Sequence, residues 1–311
     1  MHVHSHGNDG HRHRPSERRG LMLALVTTTV ILVAEAVGGW LSNSLALLAD
    51  AGHMLSDALA LALAYAAIAL AERPATRSKT YGWYRLEILA ALLNGVILVL
   101  ISVFVVWEAY ERLMSPPTVQ VPLMIGIALI GLAANALGLF FLSGHGGSLN
   151  MRGAYLHIVG DLLSSVGVVI GGVVMWTTGA MWIDPLLSVL ISLIIVASAW
   201  RLLRESVDVL LEATPAGIDH AEVERRIMAV DNVVGVHDLH IWCLTSGLNA
   251  LSCHVEVPDE FLPRCDALLD VIRHVAREEF QISHVTVQIE PQGYKSRQMI
   301  HWRLDGPAPN D

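Results

Sequence analysis

Residues Ala46–Ala71 read ALLADAGHMLSDALALALAYAAIALA, an apolar segment that contains the ionisable side chains of His53 and Asp57. About 20 apolar residues are enough for a helix to cross a bilayer. In such a helix the four-residue spacing places the imidazole and the carboxylate on one face, one turn apart. Because ionisable groups are costly at membrane depth, this pair indicates a functional site.

A second apolar segment repeats this spacing, with His157 and Asp161 in the sequence HIVGD. The two pairs together offer two nitrogen and two oxygen ligands, a set that suits a tetrahedral divalent metal such as Zn²⁺. The alternative interpretation is two hydrogen-bonded clusters that hold helices together, although Ser, Thr, Asn and Gln usually have that role. The repetition of one ligand pair on two helices favours an intramembrane metal site.

The composition is that of a membrane protein with six spans. Of the 311 residues, 53% are hydrophobic and only 16% are charged, and the mean hydropathy is +0.51. A soluble domain would be more highly charged. The net charge of −9 excludes the basic surface typical of nucleic-acid binding. The apolar blocks predict spans near Arg19–Trp40, Ala46–Ala71, Leu86–Tyr110, Pro122–Ser143, Gly153–Thr177 and Asp184–Leu203.

Lys and Arg residues are distributed unevenly over the loops between the predicted spans. If the N-terminus is cytoplasmic, the outer side carries only Arg112 and the cytoplasmic side carries the rest. The positive-inside rule therefore predicts that both termini are cytoplasmic. The N-terminal residues do not have the pattern of a signal peptide. The chain has three cysteines, Cys243, Cys253 and Cys265. Their odd number and the absence of CxxC spacing suit a reducing compartment.

After Ile218 the periodicity changes to that of a small soluble domain. The pattern predicts the order αββαβ, an α+β sandwich in which helices cover one face of an antiparallel-rich sheet. The predicted elements are a helix at Asp219–Met228, strands at Val233–Leu244 and Leu248–Val257, a helix at Leu262–Phe280 and a strand around Val285–Ile289. Alternation places a polar row on the exposed face, which could bind metal or a second subunit: His240, His254, His284 and Glu290.

Several other polar residues have open interpretations. Asp50 lies near His53 and fits either a supporting or proton-exchanging role beside the metal site or a structural helix cap. Glu35 fits either a role in an ion or proton path, or snorkelling or pairing with a neighbouring helix. Asparagines in or beside the spans are expected to form packing contacts or interhelical hydrogen bonds, and are Asn43, Asn94 and Asn135. The N-terminal segment contains five histidines: His2, His4, His6, His11 and His13. They could bind metal, or they could simply belong to a disordered tail.

Five segments resemble the cation diffusion facilitator family, in particular its bacterial zinc/cadmium/cobalt efflux branch. The first, GGWLSNSLALLADAGHMLSDALAL at Gly38–Leu61, is followed by TYGWYRLEILAALLNG at Thr80–Gly95. NMRGAYLHIVGDLLSSVG at Asn150–Gly167 matches the fifth span of that family. HDLHIW at His237–Trp242 and SHVTVQIE at Ser283–Glu290 match its cytoplasmic domain. The similarity covers nearly the whole chain.

The resemblance implies a transporter, and not an enzyme. Six transmembrane helices at residues 19–205 and a cytoplasmic ferredoxin-like domain at 206–291 would form a homodimer in the bacterial inner membrane, with disordered tails at 1–18 and 292–311. It implies export of a divalent metal from the cytosol in exchange for protons, with Zn²⁺ as the expected substrate and regulatory ligand, and no cofactor. In that family, histidine in place of aspartate at the first ligand position favours Zn²⁺ over Cd²⁺, although Cd²⁺ and Co²⁺ stay alternatives. The implied transport site consists of His53, Asp57, His157 and Asp161.

The resemblance also implies metal ligands in the cytoplasmic domain and a charge pair at the dimer. The implied domain ligands are His237, His254, His284 and Glu290. Alternation favours His240 over His237, but a bulge at the start of the strand would reconcile the two, so both stay candidates. The charge pair that clamps the dimer in some members corresponds here to Arg85 and Glu212. The alternative is an ordinary surface pair of little energy.

Two other classes of protein also combine membrane spans with metal ligands. An intramembrane zinc hydrolase would need an open coordination position and a general base, and the sequence has no HExxH motif. Two HxxxD pairs would instead fill all four positions. A membrane metal sensor would bind the ion without moving it.

Overall fold

The computed structural model describes residues 15–71, 75–143, 149–245 and 247–294. The N-terminal histidines and most of the predicted C-terminal tail lie outside these ranges. The side chain of His157 also lies outside the described part, although its backbone is helical. Contacts divide the chain into two compact units, Met1–Arg204 and Glu205–Asp311.

The first unit is built from long apolar helices. Six of the described helices are long and apolar enough to cross a membrane, which confirms the predicted class of membrane domain. The described part of α1 extends from Pro15, four residues before the predicted span. The helices are α1 Pro15–Ser42, α2 Leu45–Ala71, α3 Arg85–Met114, α4 Val121–Ser143, α5 Leu149–Thr178 and α6 Ile183–Leu210.

Glycines allow the helices of this unit to approach closely. A Cβ atom on Gly39 of α1 would lie 3.0 Å from the backbone nitrogen of Leu48 in α2. A Cβ atom on Gly172 of α5 would lie 2.6 Å from Cγ1 of Ile125 in α4. Small residues at such contacts are typical of packed membrane helices, where van der Waals contact is a main source of stability.

Asparagines in or beside the spans form hydrogen bonds with residues distant in sequence, as expected. Asn94 of α3 donates to Ser56 Oγ of α2 at 3.1 Å. Asn43, in the turn between α1 and α2, donates to the carbonyl of Thr118 at 3.3 Å. These contacts join elements that are distant in sequence, which suits polar groups in an apolar surrounding.

The second unit has the predicted order αββαβ, which confirms the fold class. Its elements are α7 His220–Met228, β1 Gly235–Thr245, β2 Leu248–Val257, α8 Cys265–Phe280 and β3 Ile282–Pro291, with a short 3₁₀ helix at Asp259–Arg264. The sheet order is β1-β2-β3, with β1 antiparallel and β3 parallel to the central β2. The predicted single helix from Leu262 is wrong at its start, because Pro263 lies in the 3₁₀ segment and cannot donate a helical hydrogen bond.

Alternation along the strands places the apolar side chains against the helices. The side chains of Leu239, Ile241 and Val255 are buried, as their positions in the strands predict. They pack with residues of α7 and α8, including Val223 and Ile272. This core holds the sheet against the helices. The polar side chains of the sheet include the second group of candidate ligands.

Candidate metal centres

The first candidate centre lies between α2 and α5. His53 Nε2 is 3.1 Å from Asp161 Oδ1 and 4.0 Å from Asp57 Oδ2. One ligand atom from each of these three residues lies within 4.8 Å of the other two. His53 and Asp57 are brought together by the turn of one helix, and Asp161 is added by the packing of the second. The arrangement can hold one divalent ion with nitrogen and oxygen ligands.

The side chains of this centre are mostly buried among the helices. The side chains of His53, Asp57 and Asp161 are 22%, 14% and 10% exposed. His157 lies one helical turn before Asp161 on α5, and its side chain is outside the described residues. Its participation as a fourth ligand therefore stays a prediction.

Further carboxylates line the interior around this centre. Asp50 of α2 is buried and accepts a hydrogen bond from Ser164 Oγ of α5 at 2.8 Å. Glu35 of α1 is 2% exposed, and its Oε2 has no hydrogen-bond partner among the described residues. A Cβ atom on Gly131 of α4 would lie only 2.6 Å from Glu35 Oε1, so the glycine leaves room for the carboxyl group. Clustered carboxylates make the interior attractive to a cation.

The second candidate centre lies on the sheet of the second unit and combines one residue from each strand. His237 of β1 is directly opposite His254 of β2, and their ring centroids are 5.1 Å apart. Glu290 of β3 reaches both imidazoles, with Oε2 at 3.1 Å from His237 Nε2 and Oε1 at 3.0 Å from His254 Nδ1. These three residues also offer ligand atoms within 4.8 Å of one another.

His237 Nε2 and Glu290 Oε2 form a hydrogen bond, but the contact between His254 and Glu290 is of a different kind. His254 Nδ1 is buried and makes no hydrogen bond despite its short distance to Glu290 Oε1. A nitrogen and an oxygen that lie close without hydrogen-bond alignment suit two ligands directed at one ion. The expectation that Glu290 is on an exposed face is wrong. The side chain is 2% exposed, and the imidazoles of His237 and His254 lie against it.

A bulge in β1 decides between the two candidate histidines of that strand. The register shifts between His237 and His240, and Asp238 has a φ of 53°, so strict alternation fails at this point. His237 consequently joins His254 and Glu290, whereas His240 Nε2 lies 3.1 Å from Asp238 Oδ1. The HDLH sequence by itself did not indicate that the Asp238 carboxylate would contact His240.

The remaining predicted residues lie apart from these clusters. His284 is exposed and is opposite Ala250, six residues before Glu290 on β3, so the structure does not bring it to the second centre. Arg85 begins α3 in the first unit, and Glu212 follows α6 in the second unit. Their pairing stays a prediction. Sequence reasoning also missed Gln288, which donates to Glu290 Oε1 at 2.7 Å.

Both units match profiles of one protein family. Residues 21–211 match the cation efflux transmembrane domain, and residues 215–292 match the cytoplasmic domain of cation efflux proteins. The chain belongs to the cation efflux, or cation diffusion facilitator, family. The resemblance of its motifs to that family is thereby confirmed.

Curated relatives cover nearly the whole chain. The metal cation efflux system protein CzcD of Cupriavidus metallidurans is 44% identical over 281 residues, which are 90% of this chain and 89% of the relative. The cadmium, cobalt and zinc/H(+)-K(+) antiporter of Bacillus subtilis is 41% identical over 290 residues, 92% and 93% of the two chains. The zinc transporter ZitB of Escherichia coli is 44% identical over 297 residues, 94% and 93%.

Membership of this family decides the class of the protein. It is an integral membrane transporter for metal cations and not an enzyme, which excludes the intramembrane hydrolase. The two candidate centres lie in the two matched domains, one in each.

Proposed function

We propose that this cation efflux protein exports Zn²⁺ from the cytoplasm in exchange for protons. The observation that carries the proposal is the convergence of His53, Asp57 and Asp161 from two helices in the membrane unit. His157 is the fourth ligand in this proposal, since it repeats the spacing of the first pair. The names of the relatives support both parts, because one is a zinc transporter and another an antiporter that uses protons.

Competition between metal and protons couples the two fluxes. A metal can bind only to deprotonated ligands, so its binding releases protons. His53 Nε2 faces the carboxylates of both Asp57 and Asp161, so the same atom can be held by a proton or by Zn²⁺. Zn²⁺ entering from the cytoplasm displaces protons, the helices then open to the outer side, and protons from that side release the ion. Histidine is suited to this exchange because it titrates near neutral pH.

The substrate follows from the ligand set. Imidazole nitrogens and carboxylate oxygens in a four-ligand site accept Zn²⁺, and Co²⁺ and Cd²⁺ are further substrates in this proposal. The relative from Bacillus subtilis is named for cadmium, cobalt and zinc, which supports this range. Zn²⁺ is the cargo in the membrane unit and has no role there as a cofactor.

The proposed topology places both termini and the second unit in the cytoplasm. The bias of Lys and Arg toward one set of loops supports this orientation. In this arrangement residues 19–205 are the transport domain and 206–291 are the dimerisation domain of a homodimer. Arg85 and Glu212, of opposite charge, are proposed as a pair at the membrane surface of that dimer.

The second centre is proposed as a regulatory Zn²⁺ site. His237, His254 and Glu290 are its ligands, and His240 and His284 are secondary candidates. The unaligned His254 Nδ1 supports a metal at this position. Zn²⁺ bound here can bias transport only if it binds one conformation more tightly than the other.

Zn²⁺ flux into proteoliposomes that contain a trapped zinc indicator tests the proposal. We expect flux in the wild type and its loss in Asp161→Asn, since the amide removes the charge of a proposed ligand. Glu111→Gln is the matched control, because this carboxylate accepts a hydrogen bond from Trp107 at the end of α3 and is outside the cluster. Retained flux in Asp161→Asn would refute the site, and binding without flux in the wild type would identify a sensor.

A further inference from the structure

A carboxylate from α6 contacts the beginning of α2. Asp184 is completely buried and accepts three hydrogen bonds. Its Oδ1 accepts from Ser44 Oγ at 2.6 Å and from the backbone nitrogen of Ala46 at 3.3 Å, and its Oδ2 accepts from the backbone nitrogen of Leu45 at 2.7 Å. Ser44 and Asp184 are 140 positions apart in the chain.

These bonds complete the cap of α2. The first backbone N–H groups of a helix have no partner inside the helix, and the N-terminus carries a partial positive charge. Ser44 Oγ accepts from the backbone nitrogen of Leu47 at 3.2 Å, and Asp184 accepts from the two preceding residues. The cap is therefore supplied jointly by the preceding residue and by another helix. A buried carboxylate with three donors is also compensated for its burial.

The turn that precedes α2 is held from two further directions. Arg112 of α3 donates to the carbonyl of Asn43 at 2.8 Å and to its side-chain oxygen at 3.2 Å. The backbone nitrogen of Gln120 donates to the carbonyl of Ser42 at 2.8 Å. Asn43 has a φ of 56°, a conformation that asparagine tolerates better than most residues. The start of α2 is thus fixed at this end of the membrane unit.

The position of this cap determines where the candidate ligands of α2 lie. His53 is eight residues after Leu45, which corresponds to about 12 Å along the helix axis. A rigid helix transmits a shift or rotation of its first turn to every residue further along. Metal ligands need placement within about 0.5 Å, so a loosened start of α2 would spoil the approach of His53 to Asp161.

We infer that Asp184 is a positioning residue for the transport site, one that fixes α2 on α6 so that His53 and Asp57 meet Asp161. This inference rests on the proposed function. Asp184 acts through the backbone of α2 and does not carry cargo or protons, since both of its oxygens already accept hydrogen bonds from that helix and its cap.

The test compares Asp184→Ala with wild type in proteoliposomes at several pH values. We expect the KM for Zn²⁺ to rise by about tenfold, as is usual for residues that orient metal ligands, while the number of protons exchanged per Zn²⁺ stays unchanged. Ser188→Ala is the control, because it removes a hydrogen bond to the backbone carbonyl of Asp184 and keeps the three hydrogen bonds of the Asp184 carboxylate. We expect its KM to equal that of the wild type.

Hydrogen exchange of the amides at the start of α2, in the purified full chain, provides a second readout. We expect faster exchange at Leu45 and Ala46 in Asp184→Ala. If that variant does not fold, Ser44→Ala replaces it, with changes in KM and exchange in the same direction.

An unchanged KM in a folded variant would overturn the inference, as would a lower number of protons exchanged per Zn²⁺, which would make Asp184 a proton carrier. If the wild type showed no Zn²⁺ flux, the proposed function would fail separately. Even without flux, unchanged amide exchange at Leu45 and Ala46 in Asp184→Ala would overturn the role of Asp184 in capping α2.

Discussion

His53 Nε2 lies 3.1 Å from Asp161 Oδ1, and this contact joins α2 to α5 within the membrane unit. The same nitrogen is 4.0 Å from Asp57 Oδ2, so one imidazole is held between carboxylates from two helices. A proton and a divalent cation would compete for this position.

Replacing His53 should change the metal preference. In His53→Asp a hard carboxylate replaces an imidazole, and carboxylates suit Mn²⁺ whereas imidazoles suit Zn²⁺. We expect the ratio of Zn²⁺ to Mn²⁺ initial rates to fall by about tenfold in proteoliposomes. Tyr65→Phe, further along α2, is the control and should keep the wild-type ratio. An unchanged ratio in His53→Asp would mean that this side chain does not bind the cargo.

Removing the charge of Glu290 should abolish metal binding on the sheet. Glu290 contacts both His237 and His254, so Glu290→Gln removes the carboxylate that the two imidazoles share. We expect the number of Zn²⁺ ions bound per full-length chain to fall by about one in equilibrium dialysis. Glu278→Gln, an exposed residue of α8, should bind as the wild type does. Equal stoichiometry in wild type and Glu290→Gln would exclude a metal at this centre.

Cys253 and Cys265 should differ in their reactivity toward alkylating reagents. Burial raises the pKa of the Cys253 thiol to about 12, because the buried site disfavours the thiolate. At pH 8 its thiolate fraction is then about 1000-fold below that of an ordinary cysteine with a pKa near 9. We expect Cys253 to escape alkylation in the native protein while Cys265, which is half-buried, is modified. Peptide mass mapping measures this, and equal labelling of both residues before unfolding would contradict the buried position.

Close contact between α1 and α2 should make Gly39 intolerant of a side chain. A Cβ atom there would meet Cγ of Leu48 at 2.9 Å and its backbone nitrogen at 3.0 Å, and the backbone cannot yield easily. We expect Gly39→Ala to destabilise the purified protein by about 1–3 kcal/mol. Gly126→Ala has open space around its Cβ position and should be neutral or stabilising by up to about 1 kcal/mol. Equal melting temperatures for the two variants would contradict this helix contact.

Much of the fold could be predicted from periodicity. The six apolar blocks predicted the six spans, and the periodicity of the second unit predicted its αββαβ order. Both could be predicted because burial in lipid or in a core imposes a pattern on each element by itself. The pairing of His53 with Asp57 also followed from local helix geometry. The approach of Asp161 to His53 was expected only because the motif is repeated.

What escaped prediction depends on contacts between distant elements. Alternation favoured His240, and only the bulge at Asp238 brings His237 to the cluster instead. The burial of Glu290 depends on two imidazoles from other strands, which no local pattern reveals. The contact of Asp184 with the start of α2 is likewise invisible in the sequence of either helix.

The most direct test of proton-coupled zinc export follows Zn²⁺ entry and lumenal pH in the same proteoliposomes, with the cytoplasmic face outward. The account predicts that external Zn²⁺ enters and the lumen becomes more alkaline, that an acidic lumen accelerates entry, and that Asp161→Asn abolishes both signals. Zn²⁺ entry without a change in lumenal pH, or both signals retained in Asp161→Asn, would contradict it.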